Sequence, residues 1–202
     1  MAFWNAPLYQ IGHAKLAVQS AQSMLNNIEK INEKLIADEL TTAPLRIGIG
    51  IGTGVCVVGN MGSEQRFDYT VLGDVVNTIS RLEGMTKEYN IAALLTELTV
   101  SSLSGEDKKN IVEIDWVRMK GKSDTTTIFG LLKNPLPDEE QSRVADMLVA
   151  YRQGDFTKCL IELECLRNSK QLSGYVSTMK TRVAQMSASK TQGSWDGVFR
   201  AT

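Results

Sequence analysis

The side chains best suited to act on a charged substrate are Asn77 and Arg81, four residues apart in DVVNTISRLEG. On a helix that spacing puts them on one side, while Val75, Ile79 and Leu82 share the other. A carboxamide beside a guanidinium can face a ligand, and a fixed guanidinium can stabilise charge developing on a phosphate. The same pattern describes a polar face that simply meets solvent, and helix geometry alone favours that plainer reading. Lys120 and Lys122 flank Gly121, where two ammonium groups could neutralise phosphate oxygens, although lysines of a hairpin turn are usually just solvated.

Other candidate chemistries find less support. Asp68, Asp74 and Asp115 are the carboxylates to consider for a metal, but their spacing brings no two together. Cys56, Cys159 and Cys165 are odd in number and lack CxxC spacing, and His13 is their only imidazole companion, so neither a disulfide framework nor a zinc site follows. Cys56 reads as a small strand residue and His13 as the start of a helix. The run GIGIGTG never satisfies GxGxxG, and no glycine stands five residues before Gly121-Lys122 to complete a P-loop.

The elements that must carry these residues follow from hydrophobic period. Ala17, Ala21, Leu25, Ile28, Ile31, Leu35 and Ile36 recur every three or four positions, which predicts an amphipathic helix over 13–39. LRIGIGIGTGVCVVGNMG alternates apolar residues with glycine and predicts two short strands joined through Gly52 to Gly54, with glycine on one face admitting a ligand or another backbone. A helix is expected from Asp74 to Glu83, with Asp74 complementing its dipole and Gly84 ending it. Ile91 to Leu95 reads as a strand, Glu97 to Leu103 as a short helix, and IVEIDWVRMKGKSDTTTIFGLL as two strands around a Lys-Gly-Lys turn. Such alternation implies an α+β or α/β sandwich.

After a proline-bearing linker at 134–137, helices are expected at Val144 to Tyr151, Phe156 to Leu166 and Tyr175 to Met186. Gly154 within YRQGDF resembles the turn of a single tetratricopeptide-like hairpin. A helical cap on the domain edge is the preferred reading, because repeats stabilise one another only in arrays. SASKTQGSWDGVFRAT is polar up to Trp195 and Phe199, which predicts a flexible strap with a docking tip. The expected division is therefore 1–133 for one domain and 138–202 for a helical tail.

Bulk properties narrow the class. With 202 residues, 43% hydrophobic and 22% charged, the chain can build a core and lacks the signature of disorder. A formal charge of -1 and scattered Lys and Arg give no field for a nucleic acid. No apolar run approaches a membrane span and the N-terminus lacks a signal-peptide layout, so the chain reads as cytoplasmic, although a longer parent could be membrane-attached.

Residues 45–84, LRIGIGIGTGVCVVGNMGSEQRFDYTVLGDVVNTISRLEG, resemble the signature stretch of class III adenylate and guanylate cyclase catalytic domains. MAFWNAPL and WVRMKGKSDTTTIFGLL resemble flanking parts of the same domain in the same order, so the similarity covers Met1 to about Leu132. The tail, SWDGVF included, more loosely resembles extensions on bacterial members. The resemblance implies a partial ferredoxin-like domain followed by an α-helical tail, and an adenylate cyclase that makes cyclic AMP and pyrophosphate from ATP. It implies Asn77 on the ribose, Arg81 on the transition-state phosphate, Lys120 on the leaving phosphates and Thr70 at the base-reading position. Threonine there occurs in a bacterial subset that uses ATP.

The resemblance also implies Mg²⁺ or Mn²⁺ held by two aspartates, and a homodimer whose composite sites draw the metal aspartates from one subunit and the Asn/Arg pair from the other. Both aspartates, and the partner base-reading lysine, belong upstream of the MAFWNAP-like segment, so no metal ligand is assigned within this chain. A truncated cyclase is the preferred account of that pattern. The competing readings are a naturally short, non-catalytic remnant that binds nucleotide or a partner, and a scaffold built on the tail.

Overall fold

The segment Ile47 to Gly54 shows how side-chain size sets the architecture. In the computed structural model, which describes residues 1–63, 66–188 and 195–200, strand β1 (Ile49–Ile51) lies beneath helix α2 (Asp74–Tyr89). A Cβ on Gly50 would sit 2.5 Å from the Ile79 carbonyl oxygen, and one on Gly52 would sit 2.5 Å from Ile79 Cγ1. The glycine face predicted from the alternation therefore admits a backbone, that of α2. Isoleucine side chains project the other way, and Ile51 joins a core with helix α1 (His13–Ala37).

α1 forms where the 3.6-residue period placed it, but only its first half is covered. Ala14, Ala17, Val18, Ala21 and Leu25 are buried, whereas Ile31 and Ile36 are each 48% exposed. The helix outruns the short strand it packs on.

Strands β2 (Val57–Ser63) and β3 (Arg66–Leu72) pair antiparallel as a separate two-stranded sheet. The two short strands expected to be joined through Gly52 to Gly54 are present as β1 and β2, and each takes its partners in a different sheet. The main sheet runs β1-β4-β6-β5-β7, with β4 at Ala93–Thr96, β5 at Ile111–Arg118, β6 at Thr125–Leu131 and β7 at Phe199–Arg200. β1–β4 and β5–β7 are parallel, while β4–β6 and β5–β6 are antiparallel, giving a mixed sheet. The short helix α3 (Glu97–Ser101) follows β4.

Side-chain alternation along β4 splits the core in two. Ala93 and Leu95 face α1, and Leu94 faces α2 and the tail. α2 continues through Gly84, which is exposed, because Met85, Thr86 and Tyr89 bury beyond it; the helix stops at Asn90, whose φ of 51° provides the left-handed cap. Tertiary burial outweighs the cost of one helical glycine, about 1 kcal/mol.

The tail helices α4 (Asp138–Gln153), α5 (Phe156–Cys165) and α6 (Ser173–Ala188) match the expected positions. Gly154, at φ 74°, caps α4, and the Asp155 side chain caps α5 by accepting from the Lys158 N–H at 3.0 Å. α6 then folds back on α2, so Tyr151, Phe156, Tyr175 and Val183 share one core with Leu82, Tyr89, Ile114 and Val117. That is the packing of a cap over the sheet, and it does not establish a tetratricopeptide array. Trp195 and Phe199 do dock: the indole N–H of Trp195 donates to the Tyr151 carbonyl at 2.7 Å, and Phe199 opens β7 beside β5. Residues 189–194 of the predicted strap, with 201 and 202, lie outside the described residues.

Candidate active site

α2 begins directly after β3, with Gly73 between them. Leu82 is buried and Val75 and Ile79 are half-buried against the glycine strand, which turns Asn77 and Arg81 outward, both exposed. The opposing wall is the turn between β5 and β6. Gly121 takes φ 72°, a left-handed conformation suited to glycine, and the Lys122 N–H donates to the Met119 carbonyl at 2.9 Å to close the turn.

Two bonds fasten helix to turn. Arg81 Nη1 donates to the Lys120 carbonyl, and the Lys122 ammonium pairs with the Asp74 carboxylate. Asn77 stands one turn before Arg81 on the same face. Residues 39 and 48 positions apart in sequence therefore meet, bringing Arg81, Lys120 and Lys122 together with Asp74, while Asp124 follows on the same turn. An excess of positive charge on an exposed, preformed ledge suits a polyphosphate. The Lys120 side chain is exposed and its carbonyl is the atom engaged, which leaves the ammonium directed by a fixed backbone.

Thr70 lies on β3 opposite Gly59 of β2 and is half-buried. Among the described residues, no hydrogen bond joins Thr70 to Asn77, Arg81 or Lys120. The Asp74–Lys122 pair is not legible in the sequence: Asp74 reads there as a dipole partner of α2 and as a candidate metal carboxylate, and no local pattern links residues so far apart.

Two of the candidate carboxylates, Asp74 and Asp115, are held by partners within the chain. Asp74 is engaged by Lys122. Asp115 is fully buried and accepts from the Tyr89 hydroxyl at 2.7 Å, Arg182 at 2.8 Å and the Trp116 N–H at 2.8 Å. Burial pushes the Asp115 carboxyl pKa up, against the downward pull of Arg182, Tyr89 and Trp116. Among the described residues there is no group of three or more His, Cys, Asp or Glu side chains poised around one ion.

Comparison with known proteins gives the geometry its context. The family model for the adenylate and guanylate cyclase catalytic domain matches residues 1–132. Adenylate cyclase 1 of Rhizobium meliloti (strain 1021) is 34% identical over 128 residues, 63% of this chain and 19% of that protein. The adenylate cyclase of Anabaena cylindrica is 37% identical over 125 residues, 60% of this chain and 25% of that protein. The chain thus spans about a fifth to a quarter of the length of these curated relatives. Among solved structures, the guanylyl cyclase Cya2 superposes with a TM-score of 0.54 at 29% identity, covering 66% of this chain and 64% of that one. The adenylyl cyclase CyaB from P. aeruginosa gives 0.51 at 30% identity, covering 62% and 63%. Signature stretch, mixed sheet and matched region coincide, and the chain belongs to the adenylate and guanylate cyclase catalytic domain family.

Proposed function

We propose that this chain carries the ribose- and phosphate-contacting half of an adenylate cyclase site, converting ATP to 3′,5′-cyclic AMP and pyrophosphate for cyclic nucleotide signalling. The observation that carries the proposal is the bond from Arg81 to the Lys120 carbonyl, which unites on one ledge two residues the family reading assigns to one substrate. In this reading the 3′-oxygen of the ribose bonds to the α-phosphorus as the bond to the departing pyrophosphate breaks, and the 3′-hydroxyl gives up its proton. Asn77 orients the ribose. Arg81 stabilises charge on the transition-state phosphate, and Lys120 neutralises the leaving pyrophosphate.

Thr70 is proposed to contact the base and to favour adenine. The similar structures include both a guanylyl and an adenylyl cyclase, and competition between ATP and GTP tests the preference. A homodimer with composite sites, with Mg²⁺ or Mn²⁺ held by aspartates outside this chain or on a partner subunit, completes the proposal. The division into a partial ferredoxin-like domain over 1–133 and a helical tail over 138–202 is proposed with it, as is a cytoplasmic location. Among the described residues, no helix is long and apolar enough to cross a membrane.

A second reading, a non-catalytic remnant that binds nucleotide or a partner, uses the same cationic ledge of Arg81, Lys120 and Lys122 for binding without turnover. Cyclic AMP formation separates the two. The assay compares this chain with a form extended at its N-terminus through the two metal-binding aspartates that the family reading expects. Turnover in the extended form that disappears with Arg81→Ala supports the cyclase; nucleotide binding without turnover in either form supports the remnant.

A further inference from the structure

A buried polar cluster lies at the far end of α2 from Asp74 and joins four elements. Its centre is Asp115 of β5, whose Oδ2 accepts from the Tyr89 hydroxyl of α2 at 2.7 Å and from Arg182 Nη1 of α6 at 2.8 Å. Arg182 Nη2 lies 3.5 Å from Glu88 Oε1, also on α2. The guanidinium is 3.6 Å from the centre of the Phe199 ring of β7 and 4.8 Å from that of Tyr89. Both charges are withdrawn from solvent, the Arg182 side chain at 11% exposure and Asp115 at 0%.

Stability alone accounts poorly for such a cluster. Apolar replacement of a buried ion pair is often neutral or stabilising, because desolvation offsets the attraction. Directional bonds supply something apolar contacts do not, a fixed geometry between the elements they join. Here those elements are α2, which carries Asn77 and Arg81, and β5, which runs into the Lys120 turn. α2 is thus fastened to the β5–β6 hairpin at two places: by the Arg182 cluster near Tyr89, and by the Arg81–Lys120 and Asp74–Lys122 bonds nearer its start.

We propose that Arg182 is a positioning residue for the cyclase site, bracing α2 against β5 through Asp115 and Tyr89, with Phe199 closing over it so that the C-terminal segment becomes part of the brace. The inference rests on the reading of Asn77, Arg81 and Lys120 as substrate contacts. Eight residues of helix separate Tyr89 from Arg81, roughly 12 Å, so a tilt of about 5° at the brace displaces Arg81 by about 1 Å, enough to cost on the order of 100-fold in rate. The tail, on this account, sets the alignment of a site that it does not touch.

The test uses Arg182→Lys, which keeps the charge but loses the planar fork, and Phe199→Ala, which removes the covering ring and leaves the ion pair. Amide hydrogen exchange of the full chain is followed over 77–81, 119–123 and, as a reference, 156–165. The expected result is exchange roughly tenfold faster in the first two segments with the reference unchanged. In the extended form, kcat should fall about tenfold or more while the KM for ATP stays within about twofold. Unchanged exchange in 77–81 and 119–123, or equal acceleration in all three segments, overturns the brace. Should Arg182→Lys fail to fold, Phe199→Ala decides by the same criterion. Absence of cyclic AMP from the extended wild type counts against the cyclase reading, while the exchange data still judge the brace.

Discussion

A guanidinium already bonded to the Lys120 carbonyl is oriented before any substrate arrives, and that preorganisation is where its catalytic value would lie. Arg81→Ala in a catalytically competent form is expected to lower kcat by roughly two to three orders of magnitude, measured as initial rates of cyclic AMP formation. An unchanged rate removes Arg81 from the mechanism. Cysteine chemistry gives an independent check on the packing. Cys56 and Cys165 are exposed, whereas Cys159 is buried and its thiol is pushed up to about 12, first by desolvation and then by Asp155 and Asp115. Iodoacetamide at pH 8 should therefore label two thiols in the native chain and a third only after denaturation. Rapid labelling of Cys159 in the native state would contradict the core described above. The Asn77/Arg81 pair was visible from spacing, but its roles came from family resemblance. The partnership of Asp74 with Lys122 was not legible, because it depends on a tertiary contact across 48 residues.

Among the elements, α2 and the strand beneath it place opposite demands on glycine. Gly84 is exposed in the helix interior with nothing within 4 Å of an added Cβ. Gly84→Ala should stabilise the chain by about 1 kcal/mol, a rise of roughly 2–4 °C in Tm. Gly50→Ala should do the reverse, since its Cβ would meet the Ile79 carbonyl at 2.5 Å and push α2 off β1. Thermal denaturation of both variants checks the pair, and a neutral Gly50→Ala would sink the close approach of helix to strand. Periodicity located α1, α2 and all three tail helices, because an apolar stripe is a local property. Gly84 does not end α2, because burial of Met85, Thr86 and Tyr89 overrides the glycine, and periodicity does not reveal that β1 and β2 belong to different sheets, because strand partners are set by tertiary packing and not by adjacency.

At the scale of the molecule, the tail and the cyclase-like domain bury the same core. Leu82, Tyr89, Ile114, Val117 and Ile128 pack in one cluster with Tyr151, Phe156, Tyr175 and Val183, so removal of 138–202 would uncover them. A chain ending at 137 is expected to lose cooperative thermal unfolding and to bind a hydrophobic dye such as ANS. Cooperative melting at the temperature of the full chain would show that the tail is a dispensable appendage. The linker and helices of the tail were legible from sequence. Its merger with the domain core was not, because an amphipathic stripe reveals that a face is buried without revealing against what. The most direct test of the whole account is cyclic AMP formation from ATP with Mg²⁺ or Mn²⁺, comparing this chain with the form extended at its N-terminus through the expected metal-binding aspartates. Turnover is expected in the extended form and is expected to disappear with Arg81→Ala; silence of the extended form, or turnover indifferent to Arg81, rules out the cyclase assignment.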